Sequence, residues 1–408
     1  MSLRILTLVH SHISTSFGGS EHAAFALDQA YQKENEAWIL TPGPAIAKPK
    51  SNRDIQIESS SHPITMCCTN ANQRNQQLAP LLEQLQPQII HLHHYLNFGI
   101  DIIQMLKELC PKAKIVLTLH EYLLLCAHNG QMLKRETHRI CRNPSPEACA
   151  NCFPELDPNL FTYRKDIGQA AIDACDALIS PSHWLLEVMG QNFKLPAATR
   201  VIENGLPPSI LNNYKQERAE SSSKTARLNR FGFFGRASEN KGLLLLLQAC
   251  YQLNLRHPGS FELHIHGGGL DREPAAIQHR IHSLIMACGD LIHLHGRYQQ
   301  DDIPELMEQI DWVVVPSIWW ENSPVVIQEA FACRRPVIGS NHGGIAEKII
   351  GQGGIEFQPN SAEELASCMA EATGNAILHQ NLQKQMPPPF SIDSCAEHHL
   401  SFYKELME

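Results

Sequence analysis

The sequence predicts an α/β protein built from two doubly wound domains, each a parallel sheet covered by helices on both faces. Three observations carry this. Short apolar runs alternate with stretches of helical spacing along the chain, as parallel strands joined by crossover helices require. The alternation lapses between Pro207 and Asn229 and then restarts. At 408 residues the chain also exceeds the roughly 250–300 residues at which a single core stops growing.

In the first half, Leu3–Val9, Ala37–Leu40, Ile89–His93, Lys114–Leu119, Ala177–Ile179 and Thr199–Ile202 read as strands. Ser20–Lys33, Phe98–Leu109, Leu160–Cys175 and Ser182–Gln191 read as helices, with Ser20 as the N-cap of the first. In the second half the strands are Arg230–Phe234, Phe261–His266, Leu291–His295, Trp312–Val315 and Pro336–Gly339. The helices are Gly242–Leu253, Glu273–Cys288, Asp302–Gln309 and Pro324–Cys333, with Ser391–Met407 as a last helix. The prolines and polar run Glu217–Lys224 mark a linker. The expected division is a domain over 1–208, a linker over 209–228, a domain over 229–390 and a closing helix over 391–408.

A formal net charge of −9 argues against a nucleic-acid binder, although it does not describe the local distribution of charge. No apolar run reaches the roughly 18–20 residues of a membrane helix. Met1–Val9 has no small-residue cleavage signal and reads as a buried first strand. The expectation is a cytoplasmic protein, with contact at the inner face of a membrane and the oligomeric state both left open. The 13 cysteines are odd in number and scattered, which suits reduced, buried thiols. Cys126, Cys141, Cys149 and Cys152 are the exception, gathered in an irregular stretch of about 121–157 that reads as a loop insertion. A tetrahedral zinc, a local disulfide and a reduced cluster all fit them, and no metal site is assigned.

The strongest local signal is Pro316-Ser-Ile-Trp-Trp-Glu-Asn-Ser-Pro-Val-Val-Ile-Gln-Glu329, a strand end, a loop and a helix start. Ser323 is placed to cap that helix and Pro324 to open it. The first-turn amides of Val325 and Val326 then form an anion site beyond the carboxyl end of a strand. Glu321 in the loop and Glu329 on the helix can accept paired hydrogen bonds from vicinal hydroxyls. A second strand–loop–helix, Phe234-Gly-Arg-Ala-Ser-Glu-Asn-Lys-Gly242, offers Gly235 for close approach, the Arg236 fork and the Lys241 ammonium. Two cations at a helix start oppose the helix dipole unless an anion joins them.

Gly18 and Gly19, after the first strand, allow backbone to approach a ligand or to take positive φ; a tight turn explains them equally well. His120 ends a strand and is placed for a ligand hydroxyl, but a lone histidine among 22 is as easily structural. No G-x-G-x-x-G follows the first strand, so a nicotinamide cofactor is disfavoured.

Taken together, these residues resemble a family 4 glycosyltransferase of the GT-B type. The resemblance rests on Glu321 and Glu329 with seven residues between them, on Gly235-Arg236…Lys241-Gly242, on Gly18-Gly19, and on Pro336-Val-Ile-Gly-Ser…Gly343-Gly-Ile-Ala-Glu347. It spans nearly the whole chain. It implies two Rossmann-like domains facing a cleft, with the C-terminal helix crossing back to the N-terminal domain. It implies a retaining transfer from a UDP- or GDP-sugar to the hydroxyl of a sugar, lipid-linked or small-molecule acceptor. No other cofactor is implied, and cell-surface polysaccharide or glycoconjugate synthesis is the implied setting.

The resemblance also assigns roles. Glu329 matches the residue that holds the ribose, Glu321 the one beside the donor sugar, and Arg236 and Lys241 the pair on the diphosphate. His120 matches the residue at the sugar's 6-hydroxyl, Gly19 a backbone contact to phosphate or acceptor, and Asn204-Gly205 the hinge-side Asn-Gly. Many members carry Glu-Gly-Phe-Gly where this chain has Glu321-Asn-Ser-Pro324, and Trp319, Trp320, Glu121 and Leu206-Pro207 also depart from the common pattern. No Asp-x-Asp triplet occurs, so a metal-independent donor site is expected. Two alternatives are a sugar-nucleotide 2-epimerase of similar architecture and a non-catalytic nucleotide-sugar-binding protein.

Overall fold

The computed structural model of the chain describes residues 2–15, 18–43, 53–211 and 227–408. The polar run Glu217–Lys224 of the expected linker, and Phe17 before the glycine pair, lie outside the described residues. The chain divides into two compact units, Met1–Gly205 with Ile392–Glu408, and Leu206–Ser391. The last helix, Ile392–Met407, therefore belongs to the first unit. It is tied there by the Tyr403 hydroxyl group, which shares hydrogen bonds with the Tyr31 hydroxyl at 3.1 Å and with His91 Nδ1 at 2.6 Å.

The first unit holds seven parallel strands: β1 (Arg4–Leu8), β2 (Glu36–Pro42), β3 (Asp54–Ile57), β4 (Ile89–Leu92), β5 (Lys114–Thr118), β6 (Ala177–Ser180) and β7 (Thr199–Val201). Their order is β3-β2-β1-β4-β5-β6-β7. Ile5, Leu6, Thr7 and Leu8 are all buried, because a parallel sheet covered on both faces has no solvent side. The second unit holds six: β8 (Arg230–Phe234), β9 (Glu262–His266), β10 (Ile292–Gly296), β11 (Trp312–Val315), β12 (Val337–Ser340) and β13 (Gly354–Phe357). Their order is β10-β9-β8-β11-β12-β13. In each sheet the order reverses once, between β1 and β4 and between β8 and β11. The crevice outside the carboxyl ends of such a pair is where open α/β sheets bind ligands.

Several sequence expectations are corrected at element ends. The first helix runs Gly19–Tyr31 with Gly18 as N-cap, not Ser20, whose hydroxyl instead donates to Glu21 Oε2 at 2.8 Å. Neither Gly18 nor Gly19 has positive φ; Gly18 is small because a Cβ there would meet the Glu21 carboxylate at 2.3 Å. The helix expected over Phe98–Leu109 starts at Ile102, since Asn97 (φ 68°) and Gly99 (φ 91°) take left-handed turn conformations first. The helix expected over Ser182–Gln191 runs His183–Asn192, with Ser182 as its N-cap, accepting from the Leu185 amide at 3.2 Å. Elements without a sequence counterpart are β3, β13 and the helices Ala71–Leu85, Pro146–Cys152, Gly343–Ile349, Ala362–Ala372 and Ala376–Gln385. No helix among the described residues is long and apolar enough to cross a membrane.

Candidate active site

In the second unit, the loops that leave β8 and β11 meet at the point where the strand order reverses. Gly242, at φ 78°, caps the helix Leu243–Arg256 in the left-handed conformation. A Cβ there would also sit 1.9 Å from the Pro316 carbonyl oxygen, so only glycine lets the two loops close together. The Ile318 amide then donates to the Asn240 carbonyl at 3.0 Å.

This brings Lys241 to Glu321. The ammonium lies 2.6 Å from Glu321 Oε1 and 5.4 Å from the centre of the Trp319 ring. The same oxygen accepts from Ser317 Oγ at 2.8 Å and Trp319 Nε1 at 2.7 Å. Burial opposes ionisation of Glu321, but the Lys241 charge and these donors outweigh it and hold the carboxyl below its ordinary range. All three donors converge on Oε1; Oε2 accepts no hydrogen bond among the described residues.

The Glu321 loop is clamped from below. Its carbonyl accepts from the Gly344 amide at 2.9 Å, and a Cβ on Gly344 would stand 1.4 Å from the Asn322 carbonyl oxygen. His342 Nε2 lies 2.9 Å from the Ser317 carbonyl oxygen. The helix that follows is Val325–Ala332, with Pro324 as N-cap and no side-chain cap. Ser323 is thus not the cap and Pro324 not the first helical residue. The helix starts one position later because Pro324 keeps extended backbone, ψ 111°. Val325 and Val326 still supply its first amides.

Glu329 faces inward from that helix, buried beside Gln300 and Tyr298 of the segment after β10. Burial pushes its carboxyl up to about 7, against a hydrogen bond from Gln300. Arg236 is exposed, with its stem against Gly269, and makes no ion pair with a described residue. The Gly235 amide donates to the His266 carbonyl at 3.0 Å and the Ala237 amide to that of Gly268 at 2.9 Å, which fixes the loop that carries Arg236.

The first unit has its own polar cluster at its strand reversal, and it contains His120. His10 follows β1, His93 and His94 follow β4, and His120 follows β5. His93 Nδ1 and His120 Nε2 are 3.0 Å apart, and the His10 and His94 rings are centred 4.4 Å apart. Glu21, at the start of the first helix, lies 3.3 Å from His10 Nε2; Glu121 lies 3.4 Å from His94 Nε2. Burial, with the nearby His10, drives the His120 imidazolium down to about 4, against the charge of Glu21. Burial pushes Glu121 up to about 8 despite the Leu123 amide and Arg164, and its Oε2 is buried without a hydrogen bond. At neutral pH His93, His94 and His120, all driven down by burial, are therefore neutral imidazoles. Asn204 and Gly205 end the first of the two stretches that make up the same unit.

The cysteine stretch includes the helix Pro146–Cys152 and carries no disulfide; Cys126, Cys141, Cys149 and Cys152 are all free thiols. Burial pushes Cys126 up to about 11, and Cys141 and Cys149 upward as well. Among the described residues, no three of these sulfurs gather around a common point at metal-binding distance.

Sequence reasoning missed Ser317 and Trp319 as partners of Glu321, Tyr298 and Gln300 beside Glu329, and His10, His93, His94 and Glu21 beside His120. The histidines carried a readable signal: they end predicted strands, as His120 does.

Comparison with known proteins agrees with this architecture. Residues 17–209 match the family described as Glycosyltransferase Family 4, and residues 229–375 match Glycosyl transferases group 1. A lipopolysaccharide 1,2-N-acetylglucosaminetransferase of Salmonella typhimurium is 26% identical over 285 residues, 67% of this chain and 70% of that protein. Among solved structures, Anabaena Alr3699/HepE in complex with UDP and glucose superposes with a TM-score of 0.65 at 19% identity, covering 98% of this chain and 99% of that one. A sucrose-phosphate synthase from Thermosynechococcus elongatus gives 0.72 at 18% identity, covering 99% of each. The two sheets have the GT-B fold. With its two halves matched by successive family models, the chain belongs to the family 4 glycosyltransferases of the group 1 type, and it is an enzyme of that class.

Proposed function

We propose that this enzyme moves a sugar from a UDP- or GDP-sugar to an acceptor hydroxyl with the anomeric configuration kept, in cell-surface polysaccharide or glycoconjugate synthesis. The observation that carries the reading is the convergence of Lys241, Glu321 and the loop of Arg236 where β8 and β11 part. The diphosphate binds between Arg236, Lys241 and the amides of Val325 and Val326, where fork, point charge and helix end all favour an anion. Glu329 accepts from the ribose hydroxyls. Glu321 keeps Oε1 for Lys241 and turns Oε2 to the donor sugar. UDP in the complex of the Anabaena neighbour supports a nucleotide ligand on this fold, and the Salmonella relative supports a polysaccharide setting.

In the reaction, the bond from the anomeric carbon to the diphosphate oxygen breaks. The acceptor oxygen bonds to that carbon on the same face, and its proton passes to the departing phosphate oxygen. The protein needs no nucleophile of its own. Its part is to position both substrates and to stabilise charge on the leaving group. By the resemblance, neutral His120 is assigned to the sugar's 6-hydroxyl, Gly19, beside Gly18, to a backbone contact with phosphate or acceptor, and Asn204 to the hinge-side Asn-Gly.

Incubation with UDP- and GDP-sugars and a panel of acceptors, with the product's anomeric proton read by NMR, tests this. Retention in a transferred sugar is expected. Conversion of donor alone into a second sugar nucleotide identifies the epimerase instead, and calorimetric binding without any turnover identifies a binding protein. Because the chain lacks an Asp-x-Asp triplet, activity is expected to survive EDTA; loss reversed by added metal overturns that part of the reading.

A further inference from the structure

Beside the donor loops, the edge of the second sheet carries four histidines at alternate positions, His264 and His266 on β9 and His293 and His295 on β10. A period of two puts all four on one face, the face that carries Phe234 on β8, whose ring stacks on His266 at 4.7 Å. Pairing of β9 with β10 shifts register between Leu294 and Gly296, so His295 is the extra residue of a bulge. Bulges re-aim side chains, and this one lays the His295 ring against both neighbours, centred 4.3 Å from His266 and 5.3 Å from His264.

We infer that His264, His266 and His295 form a binding site for a divalent transition-metal ion of the zinc type. One ring nitrogen from each lies within 4.8 Å of the others. His264 Nδ1 and His295 Nε2 are 3.0 Å apart. Two nitrogens on one tetrahedral zinc, each at about 2.0–2.1 Å, are themselves about 3.4 Å apart; because the His266 and His295 rings lie nearly parallel, at 7°, the exposed His295 ring must also turn to aim its lone pair at the same ion.

The second nitrogen of His264 supplies an independent observation. Nε2 is buried and has no hydrogen-bond partner, and the oxygen nearest it in an ion-pair sense is Glu262 Oε2 at 3.8 Å. A histidine that binds metal through one nitrogen commonly donates from the other to a carboxylate, which fixes its tautomer and strengthens the ligand. With Nδ1 toward the ion, Nε2–H faces Glu262 at 3.8 Å, and a small turn of the half-exposed carboxylate completes that arrangement. Imidazole ligands favour zinc, copper and nickel over magnesium or calcium, and three of them leave a fourth position for water. The site adjoins the donor loop through the His266 carbonyl, which accepts from the Gly235 amide, but it uses none of the residues assigned to the donor.

The test uses the full chain without a histidine tag, stripped with chelator and titrated with zinc by calorimetry and with cobalt by absorption spectroscopy. One equivalent is expected to bind, with weak cobalt bands of a nitrogen and oxygen environment. His295→Ala is exposed and tolerable, and it is expected to weaken binding at least a hundredfold; Glu262→Gln is expected to weaken it by roughly 10–100-fold, as loss of an outer partner does. Binding of less than one equivalent, or wild-type affinity in His295→Ala, overturns the site. So does strong near-ultraviolet sulfur-to-cobalt absorption that vanishes in Cys149→Ser, which would assign the metal to the cysteine stretch.

Discussion

Lys241 and Glu321, 80 positions apart in the chain, form an ion pair of 2.6 Å in which the carboxylate is nearly buried and the lysine side chain is one-third exposed. The pair exists because Gly242 lets the loop of the first residue touch Pro316 in the loop of the second. Each partner conditions the other: without the ammonium, Glu321 is a buried carboxylate held only by a serine and an indole.

Lys241→Met is expected to lower turnover on the order of a hundredfold or more, as loss of one contact to developing charge does. It is also expected to destabilise the fold by about 1–3 kcal/mol, less than for a fully buried pair because solvent reaches the lysine. Adding Glu321→Gln removes the stranded charge. The double variant should regain most of the lost melting temperature and none of the activity. Recovery of both, or of neither, contradicts the division of labour between the two residues.

Arg236 gives the opposite signature. It is exposed and makes no ion pair with a described residue, so Arg236→Ala is expected to change stability by no more than about 0.5 kcal/mol. Its fork is assigned to the diphosphate, so kcat/KM for the sugar nucleotide should fall at least tenfold. Thermal melts and donor kinetics on the same preparation separate the two effects, and unchanged kinetics would remove Arg236 from the site.

Glu329 connects donor affinity to pH. Its carboxyl is pushed up from 4.5 to about 7 by burial. Only the ionised form accepts fully from two ribose hydroxyls, so binding favours loss of the proton. Between pH 6 and pH 8 the ionised fraction rises from about one-tenth to nine-tenths, and affinity for a sugar nucleotide is expected to rise by up to roughly tenfold. A sugar nucleotide is the right probe because its diphosphate keeps a constant charge over that range. Calorimetry should show proton release on binding at pH 7 in the wild type and none in Glu329→Gln; equal release in both refutes the assignment.

The two sheets were legible because buried parallel strands read as apolar runs whatever surrounds them: β8 and β11 fall at Arg230–Phe234 and Trp312–Val315 in sequence and structure alike. The strand ends were legible too, which is why Arg236, Lys241, Glu321 and Glu329 could be picked out. Contacts made across the sequence were not. Trp319 stood out only as a departure from a pattern, and nothing local to it says that its indole donates to Glu321. β3 (Asp-Ile-Gln-Ile) was missed for a different reason: it lies at the edge of its sheet, half-exposed, so its apolar content is too thin to mark it. Ser323 is not the cap because Pro324, at ψ 111°, keeps extended backbone and takes the N-cap position itself, so the helix begins one residue later.

The first unit offers a stability test that does not depend on the donor. Burial raises Glu121 from 4.5 to about 8, and its Oε2 lacks a hydrogen bond, so the folded protein carries this group protonated at neutral pH. The unfolded chain ionises near 4.5. Between those values the native state binds more protons, so stability contributed by the neutral form is full below about 4.5 and is lost as pH rises through 8. Glu121→Gln keeps the size and neutrality of the protonated acid and cannot ionise. The variant should match the wild type near pH 5 and melt higher near pH 9, with about 2–4 °C for each kcal/mol. His120 works in the other direction: its depressed value near 4 makes stability rise with pH from about 4 to 6.5 and adds nothing above that. His120 is present in both proteins and cancels in the comparison, so a difference between Glu121→Gln and wild type that grows from about pH 4.5 to 8 and then stays level belongs to the carboxyl. A difference that is constant from pH 5 to 9 shows Glu121 ionised throughout and removes it as the source of any alkaline loss of stability.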